Sequence, residues 1–303
     1  MYDIPRFPDF RALTLGDRSF IAARLRAYQP LISEMTFTNL FIWQGIYHTT
    51  WCVLDDHLLF LVQGEGEHYY FLPPMGEGSR LGIVQTALQW LRDTQLADGL
   101  RIERADARLA EELRDVEGFV IEPTREHFDY VYSREALATL AGRKYSAKRN
   151  HINSFLREHS YVYEPMTPEN VKECLRVACI WCEKHRCEDD MSLLEERDAV
   201  FAALTHFEAL GIVGGVLRVD GLVQAFTMGE MLNAATFVVH IEKADPDIRG
   251  LYPLINQEFV RHSVQEPAAW VNREQDMGEA GLRRAKESYY PDHLVEKYRI
   301  WKQ

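Results

Sequence analysis

Ala235–Ser263, AATFVVHIEKADPDIRGLYPLINQEFVRHS, decides how the chain is read. It opens on an apolar, largely β-branched run (Thr236, Phe237, Val238, Val239, Ile241) that suits a strand. Asp245, Pro246 and Asp247 interrupt that run. Leu251, Leu254, Ile255 and Phe259 then recur at i, i+3, i+4 and i+8, the spacing of a helix. Arg249 and Gly250 fall where this helix begins, so a cation, a permissive backbone and unpaired N–H groups converge beside a strand end. Such a terminus suits an anionic ligand. The competing reading is structural, with Gly250 turning the chain and Arg249 capping a surface.

Working outward, composition bounds the class. A chain of 303 residues with 47% hydrophobic and 12% aromatic content can fill the cores of two domains, which excludes a disordered protein. No apolar run reaches the ~20 residues of a membrane span, and the opening MYDIPRFPDF lacks the charged-then-apolar pattern of a secretory signal. A soluble, cytoplasmic protein is the expectation. Five cysteines in such a chain argue against a disulfide framework. A net charge of -12 argues against nucleic-acid binding over the whole surface, while a local basic patch can still serve.

Upstream of the opening stretch, GIVGGVLRV and LVQAFTMGE pair across Asp220-Gly221, a hairpin signal, and YVYEPM (161–166) supplies a further strand before two helices. Downstream come AAWVN (268–272), a helix from about Glu279 to Ser288, and LVEKYRIW as a last strand. The first half gives nearly the same string: a strand, helices over 17–28 and 38–47, strands at 50–54, 58–63 and 69–72, a helix carrying Leu81, Val84, Leu88 and Leu91, then strand, helix, strand. A repeated order of this length implies an internal duplication. The reading is α/β, in tandem: residues 1–135, a basic helical linker 136–159, and residues 160–303 carrying the active site.

That order is similar to the GNAT acyltransferase fold, whose fourth strand leads into a glycine-containing loop and a helix that receive the donor's pyrophosphate. Tandem copies resemble the peptidoglycan aminoacyltransferases and the C-terminal domain of phosphatidylglycerol lysyltransferases. More closely, GRKYSAKRNHINSF (142–155), IEKADPDIRGLYPLINQEF (241–259) and NREQDMGEAGLRRAKESYYP (272–291) resemble a bacterial family of unknown function within that superfamily. The resemblance spans the chain and implies mixed central sheets flanked by helices. The phosphate loop departs from the GNAT pattern: with Gly250 as its first glycine, Asp247 takes the opening cation position and Tyr252 the last small one. In the first copy Pro73 opens Gly76-x-Gly78, and Glu77 would repel phosphate. These departures favour an aminoacyl-tRNA donor over acyl-coenzyme A.

Acyl transfer to an amine or hydroxyl requires a base, an oxyanion donor and an acid for the leaving group. Glu242, after the fourth-strand run, is the base candidate, with pairing to Lys243 or Arg249 as its structural alternative. His240 lies two residues earlier and is expected on the same strand face. Asn272, Glu274 and Asp276 crowd one polar loop directly after an expected interior strand, a place where function concentrates; Asp276, a catalytic candidate, and Glu274 are read as gripping a substrate amine, His240 and Asn272 join Glu274 as substrate-binding candidates, and a solvated loop capping the next helix is the structural alternative. Tyr289 and Tyr290 stand where the resemblance implies an acidic tyrosine, and one of the two is assigned to the core. Arg249, Gly250 and Tyr252 form the donor loop. Lys144, Lys148, Arg149 and Asn150 form a basic patch for tRNA phosphates, Lys144 and Lys148 sharing a helix face. The acceptor is expected to be a small-molecule, lipid or peptide amine, with no tightly bound cofactor. Two rivals stand beside this reading, a coenzyme A-dependent N-acyltransferase and a non-catalytic binding module.

Cys174, Cys179, Cys182 and Cys187 have the spacing C-x4-C-x2-C-x4-C, which overlaps a plant-type iron–sulfur run. The residues between them read as continuous helix, and at ~100° per residue the thiols spread around it rather than converge. Core packing is expected for Cys179 and Cys182, and no metal is assigned; His185 and Cys187 are the weaker alternative.

Overall fold

The structure, a computed structural model, describes residues 4–64, 68–96, 99–264 and 266–303. Its strands are β1 (Arg11–Ala12), β2 (Thr50–Leu54), β3 (His57–Gln63), β4 (Tyr69–Phe71), β5 (Arg101–Asp106), β6 (Phe119–Pro123), β7 (Asp129–Ser133), β8 (Tyr161–Pro165), β9 (Val213–Val219), β10 (Leu222–Met231), β11 (Thr236–Ala244), β12 (Trp270–Asn272), β13 (His293–Val295) and β14 (Lys297–Lys302). They form two seven-stranded sheets, ordered β1-β2-β3-β4-β5-β14-β6 and β13-β7-β12-β11-β10-β9-β8. Each sheet is mixed and contains a parallel pair, β4–β5 in the first and β11–β12 in the second. The α/β reading with two similar copies holds.

The chain divides into two compact units, one of Met1–Asp129, Gln275–Glu279 and Val295–Gln303, the other of Tyr130–Glu274 and Ala280–Leu294. In the first, the helix Leu81–Thr94 lays Val84, Leu88 and Leu91 on Leu59, Leu61, Phe71 and Ile102 of the sheet. In the second, the helix Leu251–His262 lays Leu251, Leu254, Ile255 and Phe259 on Phe237, Val239 and Ala244 of β11. The stripe read from the opening stretch is the face that does this.

The units are not the contiguous halves 1–135 and 160–303. LVEKYRIW, read as one strand, breaks at Glu296: β13 joins the second sheet beside β7, while β14 enters the first between β5 and β6. An apolar pattern identifies a strand but not its neighbour. Fully buried Lys297 gives the physical reason for β14's place, since its Nζ lies 2.6 Å from Asp129 and 2.7 Å from Glu34, carboxylates of the first unit. Nor is 136–159 a free linker. Its helix Ser146–Glu158 inserts Ile152 and Phe155 into the second unit's core.

Two smaller expectations also change. β6 was not read from the sequence. Cys182 and Cys187 are joined by a disulfide, which corrects the expectation that the cysteines stay unpaired and removes two thiols from any metal set. Cys174 is buried as a free thiol, whereas Cys179, assigned to the core, is exposed. Among the described residues no helix is long and apolar enough to cross a membrane.

Candidate active site

The site is built on an irregularity in β11. Against β10, Val239 pairs with Gly229 and Ile241 with Met228, so His240 is an extra residue in the register of β11. Such a bulge reverses the alternation of side chains beyond it. Phe237 and Val239 face the helix Leu251–His262 before the bulge, and Ala244 faces it afterwards. Glu242 shares the Ala244 parity and reaches that helix, accepting a hydrogen bond from Asn256 Nδ2 at 3.0 Å. The expectation that His240 and Glu242 share a face is therefore corrected. His240 lies with Glu230 and Glu274, its Nδ1 2.8 Å from Glu274 and its Nε2 3.2 Å from Glu230. Burial works against its charge, but those two carboxylates prevail and raise its pKa to about 9.

Around Glu242 the second unit collects groups from four elements. Arg273, directly after β12, donates to Glu242 Oε1 at 2.9 Å, so both carboxylate oxygens are engaged. Its guanidinium lies 4.8 Å from the Tyr289 ring centre. Lys148 Nζ lies 3.9 Å from that centre and donates to Ser288 Oγ at 2.7 Å. Tyr289 is buried, and its hydroxyl is pushed up by burial, Arg273 opposing and Glu242 assisting. Lys148 is pushed down to about 8, by burial first and by Arg273 next, against Glu242. Burial opposes charge on Arg273 as well, but the Glu242 carboxylate outweighs it and the net direction is up. Arg273 Nη1 and Asn256 Oδ1 are buried with no hydrogen-bond partner among the described residues.

The other candidates divide. Tyr290 is 48% exposed and packs edge-on against Tyr145, with Lys144 Nζ 5.4 Å from its ring. Lys144 lies in the 3-10 turn Arg143–Tyr145, not in the helix Ser146–Glu158 that carries Lys148, and each is directed at one tyrosine of the pair. Arg149 is occupied by the carbonyls of Leu140 and Gly142, and Asn150 is exposed. Asn272 is fully buried, its Oδ1 accepting from the Glu274 N–H. Asp276 belongs to the first unit, where Arg125 lies 3.2 Å away and the Gly278 N–H donates to it.

The expected donor loop is filled from within. Gly250 has φ +91°, and a Cβ there would stand 2.4 Å from the His151 carbonyl oxygen, so the helix Ser146–Glu158 occupies the approach. Arg249 Nε lies 3.2 Å from His151 Nδ1, the Tyr252 hydroxyl accepts from Trp181, and Asp245 and Asp247 both pair with Lys184.

The chain as a whole is similar to known proteins. A family described as "Phosphatidylglycerol lysyltransferase, C-terminal" matches residues 25–301. The chain belongs to that family. A conserved protein of unknown function from Bacteroides thetaiotaomicron is similar over 97% of this chain and 99% of its own, at 36% identity and a TM-score of 0.91. L-PGS from Bacillus licheniformis shares the fold at a TM-score of 0.67 and 14% identity, over 99% of this chain and 94% of its own. A tandem GNAT protein from the clavulanic acid biosynthesis pathway does so at 0.52 and 10%, over 97% and 98%. The fold is a tandem of GNAT-like copies, and the family is described by an acyltransferase activity.

In this member of the lysyltransferase C-terminal family the first unit's loop is also self-satisfied. Glu112 accepts from Ser79 Oγ at 2.8 Å and from the Arg80 and Leu81 N–H groups at the start of the helix Leu81–Thr94, and it meets Arg80 Nε at 3.1 Å. These are the donors an anion would use. A cleft of about 300 Å³ beside Gly76, Glu77 and Gly78 is lined by the same Arg80 and Glu112. The charged cluster at Glu242 belongs to the second unit alone.

Arg273 and Asn256 were missed from the sequence. Arg273 stood inside the quoted polar loop but went unchosen. Asn256 opens a run, Asn256-Gln257-Glu258, that is buried inside an otherwise apolar helix. Polar residues adjoining a helical stripe were the available signal, since burying them requires partners.

Proposed function

We propose that the second unit transfers an aminoacyl group from aminoacyl-tRNA to an amine or hydroxyl of a lipid, peptide or small-molecule acceptor. The observation that carries this reading is the cluster Glu242–Arg273–Asn256 with Lys148 and Tyr289, which leaves one buried donor and one buried acceptor unused. An aminoacyl ester offers the complement, a carbonyl oxygen for Arg273 Nη1 and an ammonium for Asn256 Oδ1. Two relatives support the group transferred: the family is named for lysyl transfer to phosphatidylglycerol, and L-PGS shares the fold.

The donor-loop geometry speaks for tRNA over coenzyme A, because His151, Lys184 and the loop's own carboxylates take the positions a pyrophosphate needs. Exposed Lys144 beside exposed Tyr290 offers a cation and a stacking face to a single-stranded acceptor end. A non-catalytic binding module is the competing reading, favoured by the engagement of both Glu242 oxygens.

Thermal unfolding with uncharged tRNA, aminoacyl-tRNA and acetyl-coenzyme A separates these, since a ligand selective for the folded state raises the midpoint. The expected result is a salt-sensitive rise with tRNA that Lys144→Glu removes. A rise with acetyl-coenzyme A alone contradicts the donor assignment.

A further inference from the structure

Lys148 differs from the ion-paired lysines of this chain. Lys297 meets Glu34 and Asp129, Lys243 meets Glu196, and Lys184 meets Asp245 and Asp247. Lys148 is half-buried and ends on a hydroxyl and an aromatic face, with no carboxylate within ion-pair distance among the described residues. The nearby carboxylate, Glu242, is already committed to Arg273 and Asn256. Two cations therefore face one anion in a partly desolvated place, a setting that favours a neutral amine with a free lone pair. The lysine's pKa, pushed down to about 8, agrees with that geometry. The charged and titratable groups facing it are Glu242 from β11, Arg273 after β12, and Tyr289 after the helix Ala280–Glu287.

We propose that Lys148 takes the proton of the attacking nucleophile and that Arg273 Nη1 holds the carbonyl oxygen under attack, with Glu242 fixing Arg273 rather than serving as the base. This rests on the acyl-transfer reading of the same site. The lone pair of the amine or hydroxyl attacks the ester carbonyl carbon, and the carbonyl π pair moves onto the oxygen facing Arg273. The nucleophile's proton passes to neutral Lys148. On collapse the carbon–oxygen bond to the ribose breaks, and Lys148 returns the proton to the departing ribose oxygen, so no further reactant is consumed. An amine base with a pKa near the working pH suits both directions of transfer. The unused Nη1 supplies the N–H that an oxyanion requires.

Carbon-13 reductive methylation of the lysines, followed by NMR titration, tests the base without any substrate. One resonance, absent from Lys148→Arg, should titrate near pH 8, and Glu242→Gln should move it lower by removing a favourable charge. Titration in the ordinary range, about 10.4, overturns the proposal. The second readout is release of carbon-14-labelled lysine from lysyl-tRNA. Lys148→Arg sets a permanent charge of similar reach that cannot cycle a proton, so kcat should fall about 100-fold or more with KM little changed, and the rise of rate with pH should vanish. An unchanged kcat in that variant overturns the proposal even if the titration is as expected. If the wild type turns over no donor while Lys148 titrates near 8, the acyl-transfer reading fails, and the base assignment fails with it while the perturbed lysine stands.

Discussion

A buried imidazole between two carboxylates keeps its proton well above neutral pH, and Glu230 and Glu274 hold His240 in that state. Its pKa of about 9 exceeds the ordinary 6.5, so the ion contacts stabilise the fold fully below about pH 6.5 and are lost as pH rises through about 9. The side chain is 1% exposed, so solvent screens little of the effect, which is on the order of 3 kcal/mol. We predict that the urea midpoint of the wild type falls between these pH values and that His240→Gln flattens the decline. An equal slope in both proteins would refute the assignment. One inserted residue decides this chemistry. Without the bulge, Glu242 would take His240's side of the sheet and lose Arg273 and Asn256. Counting by twos along β11 could not reveal the insertion, because the residue that marks it, Gly229, lies on the partner strand β10, where a Cβ would stand 2.1 Å from the Val238 carbonyl oxygen.

At the scale of elements, the helical stripes and hairpins were legible because each is a local pattern. The stripe Leu251, Leu254, Ile255, Phe259 became the helix Leu251–His262, and Asp220-Gly221 became the turn between β9 and β10. Strand partners were not legible, since they are set by distant residues. β14 is the case in point. It is fixed in the first sheet by a lysine whose counterions lie 168 and 263 residues away in sequence. Removing one side of a buried ion pair leaves the other charge uncompensated, which costs about 3–5 kcal/mol. Lys297→Met should therefore speed hydrogen exchange in β5, β6 and β14 by a matching factor while leaving β9–β11 protected. Uniform loss of protection would show that β14 does not act through the first sheet.

Over the whole molecule, duplication has left two copies with unequal chemistry. In the first, Glu112 fills the helix terminus that an anion would use. In the second, the corresponding terminus is filled by the helix Ser146–Glu158 and the loop's own ion pairs, while Glu242 of the neighbouring strand stands with Arg273, Asn256, Lys148 and Tyr289 from other elements of the unit. Of these, Glu242, Tyr289 and Lys148 were reachable from the sequence, though Lys148 was read as a phosphate contact. Arg273 and Asn256 were not, because their roles exist only once β12 and the helix Leu251–His262 stand beside β11. Aminoacyl transfer, as proposed, is seated in this cluster of the second unit. The most direct test is to follow the label of carbon-14 aminoacyl-tRNA into a mixture of phosphatidylglycerol vesicles, peptides and small amines. Protein-dependent transfer that drops about 100-fold in Arg273→Met is the predicted result. No transfer from tRNA, with acetyl-coenzyme A acylating the same mixture, would contradict it.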